Sequence, residues 1–436
     1  MKKFSFYLIP LILIIIALYP KFPLIGVTGT FVAIRLEDFF VAMAFAIFGL
    51  YLFSNRFEIL KKDIPRSIVL YWFIGSVATF SGIFLTTTAA PNLGFLHFFR
   101  RIEYMSLFFT GYTFLVNRMQ LKFLLRLLLL ISVTISIYGI GQILLGFPVI
   151  STNNSEFSKG LALQLGPGAR INSTFAGHYD LAAFSVFPML LILSLLPITK
   201  SKVPLLVIFG LVYWVLLMSA SRVTFVSFFT SATLLLLVIK KQKWLIPLGI
   251  LAVLGILISP QLRGRYWEFI RNHISYSPVS SVSAQSPATP SSKAVDTIPD
   301  ALTPSLVSED RSFNIRLNVE WPRAIRSVVK NPALGTGFSS IGLAVDNEYL
   351  RIMAETGILG LLAFGLIFIR FIKTSLPFIL KYRPLPESAF IVTTNCYLFS
   401  LFLGGLFIDV FAASKIALFV WTIMGLAEKT KAFSYD

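Results

Sequence analysis

Charge is scarce in this chain: 13% of its 436 residues are Asp, Glu, Lys or Arg, about half the roughly 25% of an ordinary soluble domain. That scarcity excludes a soluble enzyme. Cysteine is nearly absent. The one thiol, Cys396, falls inside an apolar run, so neither a disulfide framework nor a cysteine metal site is available. The three histidines, His97, His178 and His273, are too far apart for metal-ligand spacing, and no metal or other cofactor is expected. Period-two alternation is also missing, and that argues against a membrane barrel, whose strands alternate lipid-facing and lumen-facing residues.

Long apolar runs fill the space instead. Hydrophobic residues make up 56% of the chain, in continuous stretches such as LIPLILIIIALY at 8–19 and LRLLLLISVTISIYGIGQILL at 125–145. About 20 such residues cross the hydrocarbon as a helix, which satisfies its own backbone hydrogen bonds. The expected fold is all-α and polytopic, with spans near 4–20, 37–54, 67–88, 95–116, 124–146, 177–197, 204–220, 222–239, 244–260, 350–370, 387–408 and 411–427. Helices 1–9 then occupy 1–260, a large extracytoplasmic loop 261–349, and helices 10–12 residues 350–436. The opening MKK with its apolar run lacks a small-residue cleavage site, since Ala17-Leu18-Tyr19-Pro20 matches one poorly.

A net charge of +18 would suggest nucleic acid in a soluble protein. Here no basic patch interleaved with aromatics lies on a compact domain, so nucleic acid is not an expected partner; membrane lipids are. Lysines mark alternate connections: Lys61-Lys62, Lys122, Lys200/Lys202, Lys240-Lys241/Lys243, Lys373/Lys381 and Lys429/Lys431. The positive-inside rule makes these cytoplasmic, with both termini inside. That topology puts 14 Lys and 6 Arg inside, against 5 Lys and 13 Arg outside. Arginine's planar fork binds phosphate bidentately whereas lysine is a point charge. The outer arginines therefore point to an anionic ligand, although half of the outer basic residues lie in the long loop, which is exempt from the rule.

That loop divides into three parts. Residues 261–273 (QLRGRYWEFIRNH) have the pattern of an amphipathic interfacial helix with Tyr266, Trp267 and Phe269 as anchors. Residues 275–310 are rich in Ser, Pro, Ala and Thr and read as a disordered linker. Residues 311–330 (RSFNIRLNVEWPRAIRSVVK) read as a basic helix, or a helix pair broken at Pro322. NPALGTGFSSIG then supplies turns before DNEYLRIMAETGILGLLAFG re-enters the membrane.

Several residues could carry chemistry, each with a structural alternative. Asp346, Asn347 and Glu348 stand at the mouth of the tenth span. Asp346 or Asn347 could equally cap that helix, and Glu348, Arg351 and Glu355 could form a salt-bridge ladder along one face. Arg222, in ASRVTF, interrupts an apolar hairpin. A charge at a helix centre costs about 2.5–3.5 kcal/mol, so Arg222 meets a partner or else reaches the headgroups from a turn. Arg316, with Arg311, Arg323 and Arg326, would line a phosphate site or bind lipid headgroups, and Trp321 reads as packing or interfacial. Arg170 and His178, the latter in GHYD, flank the start of the sixth span, where a histidine more commonly caps than binds. Arg35, Glu37, Asp38, Arg100 and Arg101 read as ion pairs among themselves.

The order of these pieces resembles the O-antigen ligase and O-antigen polymerase family of bacterial envelope proteins. The strongest likeness runs over 316–365, where Arg316, Trp321, NPALGTGF and DNEYLRIMAETGILGLLAFG occur in sequence; ASRVTF at 220–225 supports it. The resemblance implies an inverting, metal-independent membrane glycosyltransferase of GT-C type in the inner membrane, with its site facing the periplasm or exterior. The donor would be an undecaprenyl-diphosphate-linked glycan and the acceptor a glycan or lipid-linked sugar. Arg222 and Arg316 match the arginines that hold the donor diphosphate, and Asp346 stands where the ligases carry histidine, followed by the same asparagine, Asn347. That departure favours a polymerase, or a ligase-like enzyme with a different acceptor. The alternative is a transporter or flippase of lipid-linked glycan. Transporters, however, place their sites near the bilayer midplane, whereas Asp346, Arg222, Arg316 and Arg170 fall at the outer edge.

Overall fold

The computed structural model describes residues 5–22, 24–26, 33–149, 165, 169–260, 263–264, 315–342 and 344–433. Its apolar runs form helices: α1 Leu8–Leu18, α2 Leu36–Ser54, α3 Asp63–Phe80, α4 Pro91–Phe114, α5 Arg118–Leu144, α6 His178–Leu195, α7 Val203–Ser219, α8 Arg222–Val238, α9 Leu245–Ile258, α10 Trp321–Lys330, α11 Glu348–Leu380, α12 Pro386–Gly404 and α13 Ser414–Lys431. Each of the twelve expected spans falls on one of them. Among the described residues, five stretches are long and apolar enough to cross a membrane: Leu36–Ser54, Asp63–Leu85, Arg118–Leu144, His178–Leu195 and Glu348–Leu380. Besides helices, the described residues hold one two-residue hairpin, β1 Ile25–Gly26 against β2 Ala33–Ile34. The interfacial helix expected at 261–273 and the linker at 275–310 lie outside the described residues, apart from Arg263 and Gly264.

Helices that are apolar on all sides sit innermost, because nothing about them asks for a polar surface. α6 and α13 are buried almost throughout, and α12 packs on α6 and α8. α4 lies along α13, and α3 along α11. Large apolar side chains face outward from the peripheral helices, among them Phe53, Phe73, Leu130 and Ile246. Exposed apolar surface on this scale marks a membrane or partner interface.

α11 is broken. Gly357 has φ 68° and ψ −173°, which frees carbonyls and amides that a continuous helix would pair internally. The NPALGTGF turn supplies four partners. Thr336 N–H donates to Ala354 O (2.9 Å) and Gly337 N–H to Glu355 O (3.0 Å), while Ile358 and Leu359 donate to Pro332 O (2.9 Å) and Ala333 O (3.3 Å). Backbones approach so closely that a Cβ on Gly357 would stand 2.1 Å from Ala333 O, and one on Gly335 2.6 Å from the Gly357 nitrogen. This is why the G-x-G turn and the E-x-G sequence occur together. The straight part, 358–380, runs about 34 Å at 1.5 Å per residue, enough to cross a hydrocarbon core of about 30 Å. The tenth span was expected at 350–370; the break sets Glu348–Thr356 apart as a separate half-helix.

Pro322 does not divide a helix pair. It is the second residue of α10, and a single π turn, Arg316–Glu320, leads directly into that helix, so the two run on as one. Trp321 packs beside a small core of Ala324, Ile341, Val345 and Ala354, which settles its role as packing.

Candidate active site

Three parts of the chain converge where α10, α11 and α6 begin. The π turn brings Arg316 to Asp346: its Nε and Nη2 donate to the same carboxylate oxygen at 2.9 and 2.7 Å. The Tyr179 hydroxyl, from the first turn of α6, also reaches the Arg316 guanidinium. Burial alone would weaken the charged form of Arg316, but Asp346 and Tyr179 more than offset it and raise its pKa. Asp346 is about one-third exposed, so the pair is accessible to solvent.

Beside Tyr179, His178 accepts from Arg170, with Nη1 2.9 Å from Nε2. Arginine offers only donors, so that nitrogen is unprotonated and the ring is neutral with its hydrogen on Nδ1. Arg222 is the first residue of α8, whose N-cap Ser221 accepts from Thr224 N–H at 3.4 Å. Thr224 lines the same narrow cavity as Tyr179 and Asp180. The predicted Arg170, His178, Arg222, Arg316 and Asp346 therefore gather at one end of the bundle, from positions as far apart in sequence as 170 and 346.

Asn347 and Glu348 take other places. Asn347 is the N-cap of α11: its Oδ1 accepts from Leu350 N–H at 3.0 Å and its Nδ2 donates to Leu406 O at 3.2 Å. Glu348 is 2% exposed and turns inward. One of its carboxylate oxygens accepts from Phe411 N–H at 2.9 Å, and the other has no partner among the described residues. It lines an internal void with Tyr71, Arg101 and Trp421, not the rim where Asp346 lies. Of the expected ladder only Arg351–Glu355 forms, at 3.3 Å, because Glu348 is drawn to the Phe411 amide. Among the expected outer pairs, Arg100–Asp38 (3.7 Å) and Arg35–Glu37 (4.0 Å) occur. Arg101 departs from that set: it meets Glu355 at 3.8 Å and donates to Phe411 O at 2.6 Å.

Asp409 was not singled out by the sequence. It lies between α12 and α13 and accepts from Val345, Asp346 and Asn347 N–H at 3.0, 3.2 and 3.1 Å. Arg351 Nη2 adds a fourth bond at 2.9 Å. Burial pushes its pKa up, but Arg351 and the backbone amides outweigh burial and hold it below the usual carboxylate value. Its only sequence signal was an acid between two apolar runs, in LFIDVFAAS.

No curated protein matches the chain. Residues 204–365 match the family model described as O-Antigen ligase. The matched stretch contains Arg222, Arg316, Asp346 and the interlocked glycine turn, so over this part the chain is similar to that family.

Proposed function

We propose that this chain transfers a glycan from a lipid diphosphate donor to an acceptor sugar hydroxyl at the outer face of the cytoplasmic membrane, with twelve membrane-spanning helices and both termini inside. Glycan transfer in polysaccharide assembly is what the O-antigen ligase domain carries in general; the donor, the acceptor and the residue roles are our reading. The observation behind it is the Arg316–Asp346 pair, accessible to solvent and next to Tyr179 and the Arg170–His178 pair.

In this mechanism the acceptor oxygen attacks the anomeric carbon as the bond from that carbon to the phosphate oxygen breaks. The electron pair leaves with the lipid diphosphate, and the acceptor proton passes to a base. The leaving group gathers negative charge in the transition state, and preorganised cations stabilise it there. Arg316 and Arg222 hold the diphosphate through charge-assisted bonds, each contributing about 1.5–3 kcal/mol. Arg170, steadied by His178, extends the same cationic rim. Asp346 is the base. Before the donor arrives, Arg316 occupies its carboxylate; the diphosphate takes Asp346's place on the guanidinium and releases the carboxylate beside the acceptor. Asn347 and Glu348 hold the helix start and take no proton. Asp346, in place of an imidazole, favours the polymerase reaction or a ligase-like one with a different acceptor.

The test is transfer from a purified lipid-linked oligosaccharide in detergent or vesicles. Asp346→Asn lowers turnover by about 100-fold or more, the usual contribution of a general base. It also leaves donor binding intact or tighter, because Arg316 is no longer occupied. Wild-type turnover in Asp346→Asn overturns the assignment.

A further inference from the structure

The backbone at Asp346 needs an explanation. Its φ is 53°, a left-handed conformation uncommon outside glycine, which Asp enters more readily than most residues but still at a cost. Asn347 after it is extended, with φ −159° and ψ 106°, so Asp346 stands just before the chain turns into α11. Asn347 already caps that helix, and the cap does not fix the residue before it.

Asp409 does. The amides of Val345, Asp346 and Asn347 all point at its carboxylate, two at Oδ2 and one at Oδ1. Three successive N–H groups converging on one anion leave the intervening backbone little choice of conformation. Arg351 Nη2 locks the same carboxylate from the other side, and Glu355 holds Arg351 in turn. Asp409's own loop is bound back to α11 by Glu348 N–H to Gly405 O at 2.8 Å and Phe411 N–H to Glu348 at 2.9 Å. Neither segment moves without the other. The Asp409 side chain is 12% exposed and is turned towards amides instead of the open rim.

We infer that Asp409 is a positioning residue for transfer: by gathering the three amides around Asp346 it fixes the direction in which the Asp346 carboxylate meets both Arg316 and the acceptor. This rests on the reading of Asp346 as the base. Asp409 touches no substrate and acts only through that residue. A carboxylate is required because an amide side chain presents one acceptor and one donor. Asn at this position would face at least one backbone N–H with its own N–H.

The experiment uses the full-length protein in detergent and two variants. Asp409→Asn should raise amide hydrogen exchange at 345–347 by at least about tenfold. It should lower kcat by about 10- to 100-fold and leave the donor KM within about threefold. Asp409→Glu keeps the charge beside Arg351 and so keeps the fold, but its longer chain displaces the three amides. It should show the same pattern with a smaller loss of kcat, and it carries the test if Asp409→Asn does not fold. The decisive measurement adds Asp409→Glu to Asp346→Asn. A residue acting through Asp346 has nothing left to position, so the double variant should be no slower than Asp346→Asn alone. An equal further loss in that background, or unchanged exchange at 345–347 in both single variants, overturns the inference. If Asp346→Asn itself turns over normally, the functional reading fails separately, and hydrogen exchange alone then decides whether Asp409 holds this backbone.

Discussion

At its amino-terminal end α11 carries Arg351 and Glu355 into a network with Asp409 and Arg101; towards its other end Arg370 and Thr374 meet Asp63, Ser67, Glu428 and Lys431. Both regions bury charge, and they use it in opposite directions. In the first, carboxylates collect backbone amides: Asp409 takes three, and Glu348 takes Phe411. In the second, cations collect carbonyls and hydroxyls. Arg370 donates to Asp63 O and to Ser67 Oγ at 2.7 Å, and Lys431 donates to Thr374 Oγ1 at 2.6 Å and Phe371 O at 3.3 Å. Lysine and arginine there tie α11 to α3 and α13 through backbone carbonyls and hydroxyls, which is a structural task. Acids that gather amides from a turn shape the backbone itself, and that shaping is confined to the end where Arg316 and Asp346 meet. Cavity size does not follow the chemistry. An open cavity of about 300 Å³ lies at the lysine-rich end, lined by Lys61, Lys62, Tyr112 and Glu428.

The comparison breaks most sharply at Gly357. Gly357→Ala places a Cβ against Ala333 O in a backbone region alanine avoids, and should cost more than about 3 kcal/mol. The expected result is a lower unfolding temperature in detergent, no transfer, and raised hydrogen exchange at 331–337. Exchange around Arg370 should stay as in the wild type; a uniform rise along the chain would mean that the two ends are one cooperative unit.

Next in size is exchange of arginine for lysine at each end. Arg316→Lys keeps the charge and loses the fork on Asp346 and on a donor diphosphate, so transfer should fall by about 10- to 100-fold. Arg370→Lys should stay within about twofold in the same assay, because a carbonyl and a hydroxyl ask for donors and not for a fork. Equal losses at the two positions would remove the distinction between a binding guanidinium and a structural one.

A pH series sharpens the comparison at the arginine-rich end. Burial lowers the Lys21 pKa to about 8, only partly opposed by Asp180. The folded protein therefore releases this proton near pH 8, while the unfolded chain keeps it to about 10.5. Between these values the unfolded state binds more protons, so stability rises with pH, by at most ~2–3 kcal/mol from this group. Unfolding temperatures should climb from pH 8 to 10, and Lys21→Met should flatten the rise. The smallest effect belongs to the lysine-rich end. Glu428→Gln removes one partner of Lys431 but leaves Thr374 and the Phe371 carbonyl, so stability should drop by ~1 kcal/mol with transfer unchanged.

Sequence alone determined the helices. Continuous apolar runs specify helix in a membrane without regard to neighbours, because the helix satisfies its own backbone, and each expected span falls on a helix. Local chemistry also drew out Arg222, a charge that interrupts an apolar pattern, Arg316 in a basic stretch and Asp346 at a helix mouth. Tertiary structure decided what those charges do. That Arg316 and Asp346 are partners across 30 residues, that Arg101 turns to Phe411 across 310, and that Asp409 holds the backbone of Asp346 across 63 depends on which helix ends lie side by side. No local pattern carries that information. The break at Gly357 belongs to the same class: glycine in an apolar run is ordinary, and only the arrival of the 332–337 backbone, with two carbonyls and two amides to exchange, makes an interrupted helix more stable there than a continuous one.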